Sequence, residues 1–169
     1  MITLYHGSNV AVTSPLVSAG RSNLDFGQGF YLTKLKSQAE SWARVIASRK
    51  GRNYVPIVSV FRFDIERAKE AGFKYKEFLS YDIAWLDYVV SCRQGNNKQN
   101  EYDIVEGGVA NDNVIDTVED YEKGIITAEQ ALGQLQFKKV NHQICILNQS
   151  VIDRFLVFQE SISLTTEDF

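Results

Sequence analysis

A chain of 169 residues and 19.2 kDa is long enough to bury roughly two-thirds of its unfolded surface in one core, so a single domain over residues 1–169 with one site is expected. Its 18 basic and 21 acidic side chains give a formal net charge of −3 with no charge run at either end, which argues against a surface uniformly dressed for polyanions and leaves a local basic patch open. The two cysteines, Cys92 and Cys145, have no second cysteine or histidine at metal-ligand spacing, and no apolar stretch approaches the roughly 20 residues of a membrane span. Free thiols, a cytoplasmic location and no membrane partner are the expectations.

Along the chain, Ile2 to Tyr5 reads as a strand that ends at His6 and Gly7. Ser8 to Gln28, with Pro15, Gly20 and Gly27, reads as a long loop, and long loops in compact domains are often functional. "GFYLT" then predicts a strand. Ser37 and Glu40 form a Ser-x-x-Glu capping box ahead of a helix whose apolar face is Ala39, Trp42, Ala43 and Ile46, ending near Gly51. "YVPIVSVFRFD" has the Val, Ile and Phe content of a buried strand, and "FKYKEFL" alternates as a half-wet one. "DIAWLDYVVSCR" predicts a helix with Ile83, Leu86 and Val90 on one face and Trp85 and Val89 beside it. "EYDIVEGGVAND" reads as a strand closed by a glycine pair, and Thr127 and Gln130 in "TAEQALGQL" as a capping pattern. "HQICIL" and "RFLVFQ" are the last predicted strands. The result is a mixed α/β (α+β) body with no internal repeat.

Three short pieces stand at strands or strand ends: "LYHGS" (4–8), "FGQGFYLT" (26–33) and "NHQICIL" (141–147). Together they resemble the signature segments of the ADP-ribosyltransferase superfamily, in its diphtheria-toxin and poly(ADP-ribose) polymerase branch. That branch has a His-Gly pair on its first strand, a Gly-x-Gly-aromatic-Tyr segment, and a glutamate opening a late apolar strand. More narrowly, the chain is similar to a family of small bacterial proteins sharing "LYHGS", "LDFGxGFYLT", a helix with "QA" and "WA", and "VANDxV". The resemblance implies two facing, mostly antiparallel sheets around a cleft for NAD, used as a substrate with no metal. It implies transfer of ADP-ribose to a macromolecular acceptor, protein or nucleic acid, or NAD hydrolysis without one. The size is compatible with the toxin of a toxin–antitoxin pair, with an antitoxin protein as partner.

Carried over residue by residue, the resemblance gives Gly7 the nicotinamide carboxamide, met through its backbone, and Tyr31 the stacking on the ring. It gives His6 a ribose hydroxyl, with Ser8 as a polar neighbour, while Gly27 and Gly29 let the loop pass close to the ligand and Phe30 turns to the core. Arg21 is the first choice for the pyrophosphate, ahead of Arg93. The departure is Gln143, which stands where the family has glutamate and supplies neither a charge for an oxocarbenium nor a base. Asp112 and Asp103 are the candidate carboxylates in its place, with Glu106 and Asp25 behind them. The competing reading is a module that keeps the pocket but has lost the chemistry. "GQG" does not make a dinucleotide fingerprint, because the third glycine is missing and a strand follows. A nucleophilic Cys145 paired with a histidine is a further alternative, a buried structural thiol the preferred one. His6 and His142 are isolated and imply no metal.

Overall fold

The computed structural model describes residues 1–96, 101–111, 114–138 and 140–165. In chain order, β1 (Ile2–Ser8) is followed by a long loop and β2 (Phe30–Leu32), then α1 (Lys36–Lys50), β3 (Ile57–Phe63), α2 (Ile65–Glu70), β4 (Tyr75–Glu77) and α3 (Ile83–Arg93). The second half contains β5 (Ile104–Gly108), α4 (Ile115–Glu122), α5 (Ala128–Leu135), β6 (His142–Ile146), α6 (Gln149–Phe155) and β7 (Leu156–Ser163). The strands form two sheets. Sheet A has the order β1-β3-β7, antiparallel throughout, and sheet B the order β2-β6-β5-β4, antiparallel except between β4 and β5.

The period-2 alternation of each strand decides the layering. Leu4, Phe61 and Phe63 of sheet A meet Phe30, Leu32, Ile104, Ile144 and Ile146 of sheet B in one core, closed by Ile65, Ala68, Val151, Ile152 and Phe155 of α2 and α6. The alternate residues of sheet B, Val105 and Cys145, face a second core built on Trp85, Leu86, Tyr88, Val89 and Cys92 of α3 with Val118 of α4 and Ala131 and Leu135 of α5. On the far side of sheet A, α1 lays Ala39 and Ala43 on Val58 and Leu164. The order of layers is therefore α1, sheet A, sheet B, and the α3–α5 group.

Several local expectations are corrected. β1 runs through His6 and Gly7, which pair with Ser59 and Val58 rather than ending the strand. Ser37 lies inside α1, whose N-cap Leu35 has no side-chain capping bond. Thr33 takes that work, its Oγ1 accepting from the Leu35 N–H at 3.1 Å while it donates to Gln38 Oε1 at 2.6 Å. The buried stripe of α1 is Ala39, Ala43 and Ala47, and Trp42 is 44% exposed. Close approach of the helix to the strands admits only alanines, so the tryptophan is turned out. On α3, Ile83 is exposed and the buried face is Trp85, Leu86, Tyr88, Val89 and Cys92. In "RFLVFQ", Arg154 and Phe155 finish α6 before β7 begins at Leu156. The helices α2, α4 and α6 are too short to carry a readable period. The end of α1 at Gly51, with φ +127°, and the capping box of Thr127 with Gln130 match their sequence signals. Among the described residues no helix is long and apolar enough to cross a membrane.

Candidate functional site

Among the described residues, one backbone bridge joins the edges of the two sheets. Tyr5 of β1 and Thr33 exchange both backbone hydrogen bonds, Tyr5 N–H to Thr33 O at 2.8 Å and Thr33 N–H to Tyr5 O at 2.9 Å. Because bonding direction alternates along an antiparallel strand, a residue that bonds away from β3 is followed two places on by another that does the same. Gly7 therefore turns its N–H and C=O toward β2, opposite Tyr31. By the same alternation from Thr33, Tyr31 turns its backbone groups toward β1. No ladder closes between them, since the bridge is confined to Tyr5 and Thr33. Instead His6 Nδ1 donates to the Tyr31 carbonyl at 2.8 Å, and its ring lies 4.5 Å from that of Phe30. A carbonyl only accepts, so Nδ1 carries the proton and Nε2 of the neutral ring holds the free lone pair. Burial lowers the His6 pKa against the opposing effect of the Tyr31 bond, which keeps the ring neutral.

Gly7 is required on its other side as well. A Cβ there would collide with the carbonyl oxygen of Ala39 and stand 2.8 Å from Ala43 N, so α1 rests directly on the glycine. The loop before β2 is bracketed by Tyr31, whose hydroxyl donates to Gly27 O at 2.7 Å and accepts from Phe26 N–H at 3.0 Å. The Tyr31 ring lies on the helical side of sheet B against Phe26, at 6.3 Å, so His6 and Tyr31 meet at a backbone carbonyl and their rings point to opposite sides of the sheet. Gly27 has φ +90°, which favours glycine, and a Cβ on Gly29 would stand 2.5 Å from Cys145 Sγ and 2.7 Å from Ile146 O. Ser8 is half-buried at the end of β1, opposite Ile57, and Arg21 is exposed in the loop.

The acidic candidates are scattered. Asp25 accepts from Ala110 N–H at 2.7 Å and Arg93 Nη1 at 3.1 Å, and burial raises its pKa more than those bonds lower it. Arg93 also reaches Glu119 at 3.6 Å and Glu122 at 3.7 Å, which commits it to a structural network. Asp103 precedes β5, where it accepts from Lys74 N–H at 2.7 Å and Asn148 Nδ2 at 2.8 Å. Its carbonyl takes Leu147 N–H, so it sits at the far end of β6 from Gln143, roughly 13 Å along a strand. Glu106 is 5% exposed and bonded to Lys34 Nζ and to the Tyr75 hydroxyl. Asp112 lies outside the described residues. Gln143 is half-buried on β6, paired with Gly107, two places from Cys145 on the face that Tyr31 shares, and its side chain makes no hydrogen bond among the described residues. Cys145 is fully buried, and burial pushes its thiol pKa up, so it is not a nucleophile. Among the described residues no group of three or more His, Cys, Asp or Glu side chains could hold a metal ion.

A sequence model of a family described as a protein of unknown function, DUF3990, matches residues 2–158, nearly the whole chain. The chain belongs to this family. No curated protein and no solved structure matches it significantly. The three motif segments and the Tyr5–Thr33 seam all fall within the part of the chain that defines this DUF3990 domain.

Two residues of this DUF3990 domain, Gln38 and Trp42 of the "QA" and "WA" pairs, were given no site role from the sequence. Gln38 has its Oε1 engaged by Thr33 while its Nε2 is buried without a partner, and exchanging the two amide atoms would only orphan the oxygen instead. A buried amide group left unpaired beside the seam is costly unless something fills it. Trp42 stands exposed just before Ala43, whose backbone packs on Gly7, so it offers a flat apolar face on the helix that backs the gap. The helical period concealed both, because it assigns residues to a face without saying which face is covered.

Proposed function

We propose that this chain has an ADP-ribosyltransferase-like fold, binds NAD at the gap between β1 and β2, and transfers ADP-ribose from it to a macromolecular acceptor. One observation carries the reading: the backbone N–H and C=O of Gly7 turn toward β2 where no ladder closes, beside a histidine whose Nδ1 is held and whose Nε2 is left as an acceptor. A primary carboxamide has a donor and an acceptor that match such a backbone pair, and a ribose hydroxyl matches Nε2. In the reaction the bond from ribose C1′ to the nicotinamide nitrogen breaks, nicotinamide leaves with the electron pair, and the acceptor's nucleophile closes on the cationic sugar and loses its proton. The site's contribution is to hold both fragments still and to favour the developing charge.

A second reading, a binding module with attenuated chemistry, is supported by a separate observation. Asp25, Glu106 and Asp103 are each committed to other partners, and β6 carries the neutral Gln143 where the resembling proteins have a glutamate. The decisive experiment incubates the protein with NAD labelled in the adenylate and a cell lysate, follows nicotinamide release, and asks whether label enters protein or nucleic acid. Melting with and without NAD separates the readings: stabilisation with turnover supports the enzyme, stabilisation without turnover the module. No stabilisation at millimolar NAD removes both. If the chain acts as a toxin, co-expression with a small protein encoded beside it should suppress its toxicity.

A further inference from the structure

Charge is unevenly distributed over the fold. Eleven of the eighteen Lys and Arg residues fall between Lys34 and Lys76 against four carboxylates, whereas residues 77–129 contain three bases and twelve acids. The asymmetry is sharpest from Ser41 to Phe63, where Arg44, Arg49, Lys50, Arg52 and Arg62 occur with no Asp or Glu at all. That segment is the body of α1, its closing turn and β3, so the helix lying on Gly7 is also the centre of the positive region.

We propose that the C-terminal end of α1 and the turn after it dock single-stranded nucleic acid. Arg49, Lys50 and Arg52 are exposed and make no ion pair among the described residues. Tyr54, two residues beyond Arg52, is 47% exposed. Two cations in a last helical turn have a simple role against the helix dipole, but that role does not extend to Arg52 or to an uncovered tyrosine ring in the following turn. Unpaired cations beside an exposed ring are what a single strand needs, phosphates for the cations and an unstacked base for the ring. A duplex offers phosphates but no free base face, and an acidic peptide offers charge but no flat ring. The distance also suits a strand that serves the site. From Ala43, packed on Gly7, to Lys50 the helix rises roughly 10 Å, about three nucleotides at single-strand spacing. The acidic α3–α5 side repels the same strand, so the field orients it on one face.

The inference stands apart from the NAD reading and is tested without NAD. Fluorescence anisotropy with labelled 12-nucleotide single-stranded DNA and RNA should show binding that weakens with salt, the slope of log K against log salt being about −2 for three phosphate contacts. Arg49→Glu, Lys50→Glu and Arg52→Glu together should weaken binding at least ten-fold and flatten the slope, and Tyr54→Ala should weaken it roughly five-fold while Tyr54→Phe does not. Lys123→Glu with Lys138→Glu, on other elements, should change nothing. No binding at low salt, binding indifferent to the triple reversal, or equal affinity for duplex DNA or polyglutamate would overturn the proposal. If the triple variant melts early, Arg52→Glu alone decides, with at least a two-fold loss required. The NAD-induced melting shift, read on the same variants, reports on the other site independently.

Discussion

At Gln143 the residue type and the proposed chemistry pull in different directions. The side chain is half-buried, shares a face with Tyr31 and Cys145, and is bonded to nothing among the described residues, so it is available to a ligand. As an amide it orients a hydroxyl without opposing a positive charge. Gln143→Glu keeps the reach and adds the charge, so nicotinamide release should rise about ten-fold or more. An unchanged or lower rate in that assay would favour the binding module. His6 supplies a second residue-level test. Burial lowers its pKa below the ordinary 6.5, so as pH falls through that value the unfolded chain takes up a proton that the folded one refuses. Stability should be full above about pH 6.5 and decline below it until the folded ring also titrates, and His6→Gln should flatten that decline in melting curves. NAD affinity should hold through pH 6.5, because Nε2 remains an acceptor, and fall only at lower pH.

Among the elements, two capping signals of similar appearance had different fates. Thr127 and Gln130 satisfy each other's backbone N–H groups, at 3.2 and 2.8 Å, so Thr127→Ala should cost about 1 kcal/mol and lower the melting temperature roughly 2–4 °C. Ser37 sits one residue inside α1 and caps nothing, the N–H of the N-cap Leu35 being met by Thr33, and Ser37→Ala should leave melting within a degree or so of wild type. The Phe26–Gly27 turn just before β2 is a local feature of the same kind, bracketed by one hydroxyl. Tyr31→Phe leaves the ring but frees Gly27 O and Phe26 N–H, and should destabilise by about 1–3 kcal/mol. A full-strength melt for Tyr31→Phe would show that the bracket is dispensable.

At the scale of the molecule, Asp25 ties the loop to the exit of β5 and, through Arg93, to α4. Both side chains are mostly buried, 14% and 22% exposed, so Asp25→Ala strands a buried cation and an unmet backbone N–H. A loss of about 2–3 kcal/mol and a fall of roughly 5–10 °C in melting temperature are expected, with Asp25→Asn losing less because it still accepts from Ala110. Equal losses would mean that the charge matters more than the backbone bond. The clasp was not visible in the sequence, because although Asp25 and Ala110 lie in the "LDFGxGFYLT" and "VANDxV" segments, nothing local says that these segments and Arg93 meet in space.

By itself the sequence determined the strands with strong Val, Ile and Phe content, the C-terminal end of α1, the start of α5, the loop, and the three segments that converge on the seam, since propensity, turn residues and period are local properties. What it left undecided is everything set by the second surface that a residue meets. Whether Ala39 or Trp42 faces inward depends on how closely α1 can approach β1, which Gly7 fixes from another element. Whether an aspartate is free to act depends on what it meets, and Asp103 is taken by Lys74 N–H and Asn148 Nδ2. Gly7 itself shows the division most plainly. Its small size is written in the chain, but that its backbone groups turn toward β2 without a ladder to meet them follows only from the bridge stopping at Tyr5 and Thr33, because bonding direction is a property of paired strands and not of residues.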